Sequence, residues 1–132
     1  MNPEIIIAQF LKAQPVASLV GTRVALSQLP QNTAMPALVY QVISSNPRPV
    51  VAYQTGPQRA EARIQLNPLA TSIKGVKDIH AALRTVLDFK HNQTVGGKTV
   101  VSCRLDSLGA MDKDNDAGVW TQPADYILMW YE

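Results

Sequence analysis

The densest run of potential ligand atoms in the sequence is Asp112-Lys113-Asp114-Asn115-Asp116. It places side-chain oxygens at the first, third and fifth places of a calcium loop. The pattern then breaks, because the sixth place is Ala117 where the sharp turn needs glycine. The twelfth place is Pro123, where a bidentate glutamate belongs. A solvated turn between two strands is the expected structure. Gly97-Lys98-Thr99 has the ending of a phosphate-binding loop, yet the earlier glycine position holds Asn92 and no helix pattern follows. The single cysteine, Cys103, falls on the apolar side of an alternating segment, where a thiol packs as a small inert hydrophobe. His80 lies beside an apolar helical stripe and His91 near its end. With one cysteine and no shared spacing they make no metal set. The scattered carboxylates give no acid–base pair. The expectation is a protein that is not an enzyme, with no catalytic residues, no cofactor and no metal.

The elements that must position these groups are organised around residues 57–89. In 58–67 the even positions Ala60, Ala62, Ile64 and Leu66 are apolar and the odd ones polar, the period of a half-buried strand. Asn67-Pro68 is expected to stop it. Thr71 or Ser72 then caps a helix whose apolar positions Ile73, Val76, Ile79, Leu83, Val86 and Leu87 recur at helical spacing. Lys74, Lys77, Asp78, Arg84 and Asp88 read as its solvent side. A first helix is expected from Asn2-Pro3-Glu4 to about Gln14, ended by Pro15, with a short turn at 16–20 stopped by Gly21.

Strands are expected at 22–26, 37–45, 99–108 and 119–131, with a tight hairpin at 95–98 and a long connection at 46–56. Two of these strands are apolar on both sides. In 37–45, Leu38, Tyr40 and Val42 alternate with Val39 and Ile43, and the end of 119–131 reads Tyr-Ile-Leu-Met-Trp-Tyr. Such a strand is either central in its own sheet or covered by another subunit, where Trp and Tyr are favoured anchors. The fold class is therefore α+β: a mostly antiparallel sheet with two main helices packed on one face, in a single domain over 1–132.

Composition narrows the function classes. A net charge of +2 with basic residues scattered through the chain lacks the electrostatic footprint of a nucleic-acid binder. No stretch approaches the roughly 20 apolar residues that cross a bilayer, and Ile5-Ile6-Ile7 follows Pro3-Glu4 rather than a basic leader, so it reads as a helix start with no membrane partner.

Three segments together resemble a known family. They are Leu19-Val20-Gly21-Thr22-Arg23-Val24 with Leu29-Pro30 and Pro36-Ala37-Leu38-Val39-Tyr40-Gln41; Ala62-Arg63-Ile64-Gln65-Leu66 leading to Ala81-Ala82-Leu83-Arg84; and Asp125-Tyr126-Ile127-Leu128-Met129-Trp130-Tyr131. In order and spacing they are similar to the tail completion or tail terminator proteins of long-tailed bacteriophages and prophages, whose fold the lambda tail terminator shares. The early stop at Asn67-Pro68 departs from that pattern.

The resemblance implies a non-enzymatic virion assembly protein, made in the bacterial cytoplasm and located at the head-proximal end of the tail. Its copies would form a ring, expected as a hexamer, that ends tube growth and offers a head-joining surface. The implied partners are the tail tube protein, the head connector or neck protein, and DNA passing through without sequence recognition. Tyr40, Tyr126, Leu128, Trp130 and Tyr131 are the candidate subunit-interface residues. Arg48, Tyr53, Asp112, Asp114 and Asp116 are candidates for loops facing tube or connector. Two alternatives are a neck protein without length control and a monomeric nucleic-acid-binding module using Arg48, Arg59 and Arg63. The latter would bind with steep salt dependence.

Overall fold

The computed structural model describes residues 3–30, 33–48, 59–88, 90–95 and 98–131, and side chains for all of these except 47, 48, 90–92, 95 and 98. The organising strand is β3, Arg59–Ala70, buried at every even position and half-buried at every odd one. Its alternation continues through Pro68, so the expected stop at Asn67-Pro68 does not occur. The reason lies in the neighbouring strand. The 119–131 segment is two strands, β7 (Val119–Thr121) and β8 (Ala124–Tyr131), separated by Gln122-Pro123. β8 leaves β3 at the Leu66–Ala124 pair and β7 takes over at Leu69–Thr121. Pro68 thus falls where the ladder on that side is already interrupted, a place where a residue without an N–H is tolerated.

Six strands run in the order β1-β2-β3-β8-β5-β4, with β1 at Val24–Leu26, β2 at Ala37–Arg48, β4 at Lys90–Val95 and β5 at Lys98–Leu108. All neighbours are antiparallel except β1 and β2. β6, Asp112–Asp114, pairs with β7 and forms a small hairpin appended to the end of β3. Register shifts at Val42/Ser44, Val100/Ser102 and Leu105/Ser107 are bulges that bend β2 and β5.

The helices lie together on one side of this sheet. α3, Ile73–Leu87, starts at Ser72, whose hydroxyl accepts the Gly75 N–H at 3.1 Å, as an N-cap residue should. It buries Val76, Ile79, His80, Ala82, Leu83, Val86 and Leu87 and leaves Ile73 41% exposed. α1, Pro3–Leu11, ends three residues short of the expected Gln14. Its last turn tightens into i→i−3 bonds, Lys12 N–H to Gln9 and Ala13 N–H to Phe10, ahead of Pro15. α2, Val16–Val20, is a single short turn of helix closed at Gly21, whose φ of 56° belongs to the left-handed region that glycine reaches without strain. Ile6, Ile7 and Phe10 of α1, Val16 and Val20 of α2, and the α3 stripe meet Leu38, Tyr40, Ile64, Leu66, Tyr126, Leu128 and Trp130 of the sheet in one core.

The segment after α3 departs from expectation. The helix stops at Leu87 rather than His91-Asn92, and 90–95 is an edge strand joined to β5 through a Val95–Lys98 pair.

Candidate interaction face

The side of the sheet that carries none of the described helices holds the odd residues of β3 and their lateral neighbours. Arg63 stands at its centre, between Asp106 of β5 and Asp125 of β8. Its Nη1 lies 2.8 Å from Asp106 Oδ2 and 3.1 Å from Asp125 Oδ2. Arg104 approaches the other oxygen of Asp106 at 3.3 Å. The hydrogen bonds from Arg63 and then Arg104 hold the Asp106 carboxyl below its usual range, and the bond to Asp106 raises the Arg63 guanidinium above its own. Toward the other end, the Gln41 amide donates to Gln65 Oε1 at 3.0 Å, and the Asn67 amide donates to the same oxygen at 3.2 Å.

β8 contributes the apolar part. Ile127 is opposite Arg63 on one side and Arg104 on the other, and it is only 8% exposed. Long arginine stems flank it in register, which is how an apolar residue can be covered on an open sheet face. Met129 lies opposite Glu61, and Tyr131, 38% exposed, lies opposite Arg59. Ile43, the extra residue at the β2 bulge, is 48% exposed.

The candidate interface residues divide by strand alternation. Tyr126, Leu128 and Trp130 have no exposed surface and Tyr40 has 9%, all inside the subunit's own core; Tyr131 alone is presented outward. The inward half of the closing strand's apolar pattern therefore belongs to the subunit's own core. Burial pushes the Tyr126 hydroxyl far above its ordinary pKa, and Tyr40 upward in the same way. The Tyr126 hydroxyl and the Trp130 indole N–H have no protein partner among the described residues.

Of the loop residues, Arg48 is placed by its backbone alone, paired with Arg59 across β2 and β3. Tyr53 lies outside the described residues. Asp112, Asp114 and Asp116 are exposed in the β6–β7 hairpin. Asp114 Oδ1 accepts the N–H groups of Asp116 and Ala117 at 3.1 and 3.3 Å, and Asp112 Oδ1 accepts the Lys113 N–H at 2.8 Å. The Asp114 contacts form the turn, whereas Asp112 and Lys113 lie in β6, so the run expected as a turn is in part a strand. No group of three or more His, Cys, Asp or Glu side chains among the described residues is arranged to hold a metal.

The groups that offered chemistry are placed in structural roles. Cys103 is fully buried, and burial pushes its thiol up to about 12. His80 is 7% exposed and its Nε2 donates to the Gln122 carbonyl at 2.8 Å; Nδ1 has no protein partner among the described residues. Burial lowers the His80 pKa. Two shallow grooves, about 330 Å³ beside Phe10, Thr85 and Gln93 and about 220 Å³ beside Leu11, Lys12 and Gly21, bring no nucleophile and base together. No described helix is long and apolar enough to cross a membrane.

Sequence reasoning missed the Arg63–Asp106–Asp125 cluster, because its members are 43 and 62 positions from Arg63 and meet only through the β3-β8-β5 order. It also placed Asp88 on the solvent side of α3, whereas that carboxylate is 5% exposed.

Comparison with solved structures supports the fold. A chain from the virion of a native gene transfer agent particle superposes with a TM-score of 0.68 at 12% identity, over 98% of this chain and 93% of that one. A second solved chain superposes with a TM-score of 0.59 at 15% identity, over 100% and 96%. No curated protein matches the sequence. The family model described as tail completion protein gp17 matches residues 5–122, so the chain belongs to that family of structural proteins of the phage tail.

Proposed function

We propose that the protein forms a ring at the head-proximal end of the tail tube, ends tube growth there and presents the surface to which the head joins. The observation that carries this reading is the placement of its two candidate contact regions. The strand ends that 49–58 connects, Arg48 and Arg59, lie at one end of β3. The Asp114–Gly118 turn lies beyond Ala70 at the other. β3 has twelve residues, so about 36 Å separates them. A subunit with contact regions at opposite ends of one rigid strand is suited to a ring held between two different partners.

The engagement of one of the three arginines named for a nucleic-acid-binding module speaks against that reading. Arg63 is engaged by two carboxylates and Arg104 by one, so neither is free to displace counterions from a phosphate backbone.

Microscopy of particles from a strain in which this gene alone is disrupted tests the proposal. Filled heads beside separate, overlong tails are expected. Separate tails of normal length would move the role to head joining without length control, and intact infectious particles would sink it.

A further inference from the structure

We infer that the helix-free face of the sheet, centred on Arg63 and Ile127, is where the next copy of this chain docks; the inference rests on the ring proposed above. Three observations carry it. The first is charge. Among the side chains described on this face, Arg59, Arg63 and Arg104 match Glu61, Asp106 and Asp125 in number, and Arg48, opposite Arg59 by its backbone, adds one cation. Arg63 and Arg104 are already ion-paired within the subunit at 2.8 to 3.3 Å. Covering a charge is costly when it is left without its partner. Here each of those arginines keeps its carboxylate when water is excluded. A face built for phosphates would hold its cations free, and a face built for a strongly charged protein would carry an excess of the opposite sign. A face of weak net charge, ion-paired at its centre, suits a partner of equally weak net charge, and this chain, at +2 over 132 residues, is such a partner.

The second observation is the apolar content. Ile43, Ile127, Met129 and Tyr131 lie on this face among the charges, with Ile43 48% and Tyr131 38% exposed. They come from the two strands whose sequences are apolar on both sides. Their inward partners Tyr40, Tyr126, Leu128 and Trp130 belong to the subunit's own core and Val42 packs against it, so the outward set, with Ile127 beneath the arginine stems, is the other half of that pattern. A buried aromatic anchor within a polar surround is the usual composition of an interface centre.

The third observation is size. Strands β2, β3, β8 and β5 span roughly 20 Å by 30 Å, or about 600 Å² in projection. This is comparable with the roughly 800 Å² of accessible surface per partner that stable interfaces bury.

Site-specific crosslinking inside assembled particles tests the inference. A benzophenone amino acid replaces Tyr131 in one variant and Ile43 in another, both on exposed positions, and purified particles are irradiated. Adducts at twice the mass of the chain are expected from both. Adducts only with a different particle protein overturn the inference and leave the ring reading standing, and absence of the wild-type chain from particles overturns both. Hydroxyl-radical footprinting of unmodified particles guards against variants that fail to incorporate. Met129 and Tyr131 are expected to oxidise at least about tenfold more slowly in particles than in the isolated monomeric chain. Equal rates overturn the inference.

Discussion

Asp88, the residue that closes α3, accepts the backbone N–H of Leu105 on its Oδ1 at 2.9 Å, and so fastens the helix end to β5. Its other oxygen takes the Nε and Nη2 of Arg84 at 3.1 and 2.9 Å. A carboxylate one turn from an arginine reads in sequence as an ordinary surface pair. Here it stands just beyond the Lys90–Cys103 pair, where the β4 ladder ends, and takes the Leu105 amide in its place.

Asp88→Ala is expected to lower stability by about 2 kcal/mol, the usual cost of stranding a buried donor. Asp88→Asn keeps an acceptor oxygen and should lose less than half of that. Urea unfolding of both variants checks the ranking; equal losses would mean that the Leu105 contact contributes nothing.

His80 sets a pH dependence whose sign follows from burial. Its folded pKa lies below the unfolded value of 6.5, so below about pH 6.5 the unfolded chain takes up a proton that the folded one resists. The contribution is complete above that pH and is lost as pH falls toward the folded value. His80→Gln should flatten the stability profile between about pH 7 and pH 5, measured by urea midpoints, while keeping a donor in the region of the Gln122 carbonyl.

Gly109 is held against the β7–β8 junction, its N–H donating to the Pro123 carbonyl at 2.7 Å. A Cβ there would stand 2.6 Å from Pro123 Cγ, an atom fixed in a ring. Gly109→Ala is expected to cost about 1–3 kcal/mol through overpacking and to lower the melting temperature. An unchanged melting curve would show that the junction yields freely.

Cys103 should resist thiol reagents in the native protein, since it has no exposed surface and its thiol is pushed up to about 12. Ellman's reagent at pH 8 is expected to release its chromophore only after denaturant is added.

Charge reversal separates the turn-forming aspartates from the free ones. Asp116→Lys should leave the fold intact and reduce joined particles, because the Asp116 side chain makes none of the turn contacts described. Asp114→Lys should also disturb the turn that its carboxylate closes. Particle counts by microscopy that match wild type for Asp116→Lys would count against the hairpin as a docking element.

The alternation of β3 and the stripe and cap of α3 were legible because they depend on periods of 2 and 3.6 residues and on a hydroxyl three positions from its amide. The fold class followed from them, whereas the acidic run, read as a loop over 111–118, supplies strand β6 at Asp112–Asp114 and turns only after it. Edge strand β4 was not legible, because Lys90-His91-Asn92-Gln93-Thr94 carries no apolar alternation and is ordered by its pairing with β5. The continuation of β3 through Pro68 was hidden for the same kind of reason, since its tolerance depends on a break in another strand.

The sequence by itself determined which side of β3 and of α3 turns inward and which family the chain resembles. Only the tertiary structure decided that Tyr126, Leu128 and Trp130 belong to the subunit's core while Tyr131 faces out, and that Arg63 meets Asp106 and Asp125. The physical reason is range. Side-chain periodicity is a local property of the backbone, whereas the strand order that makes β8 central and brings three charges together is fixed by contacts between residues far apart in the chain.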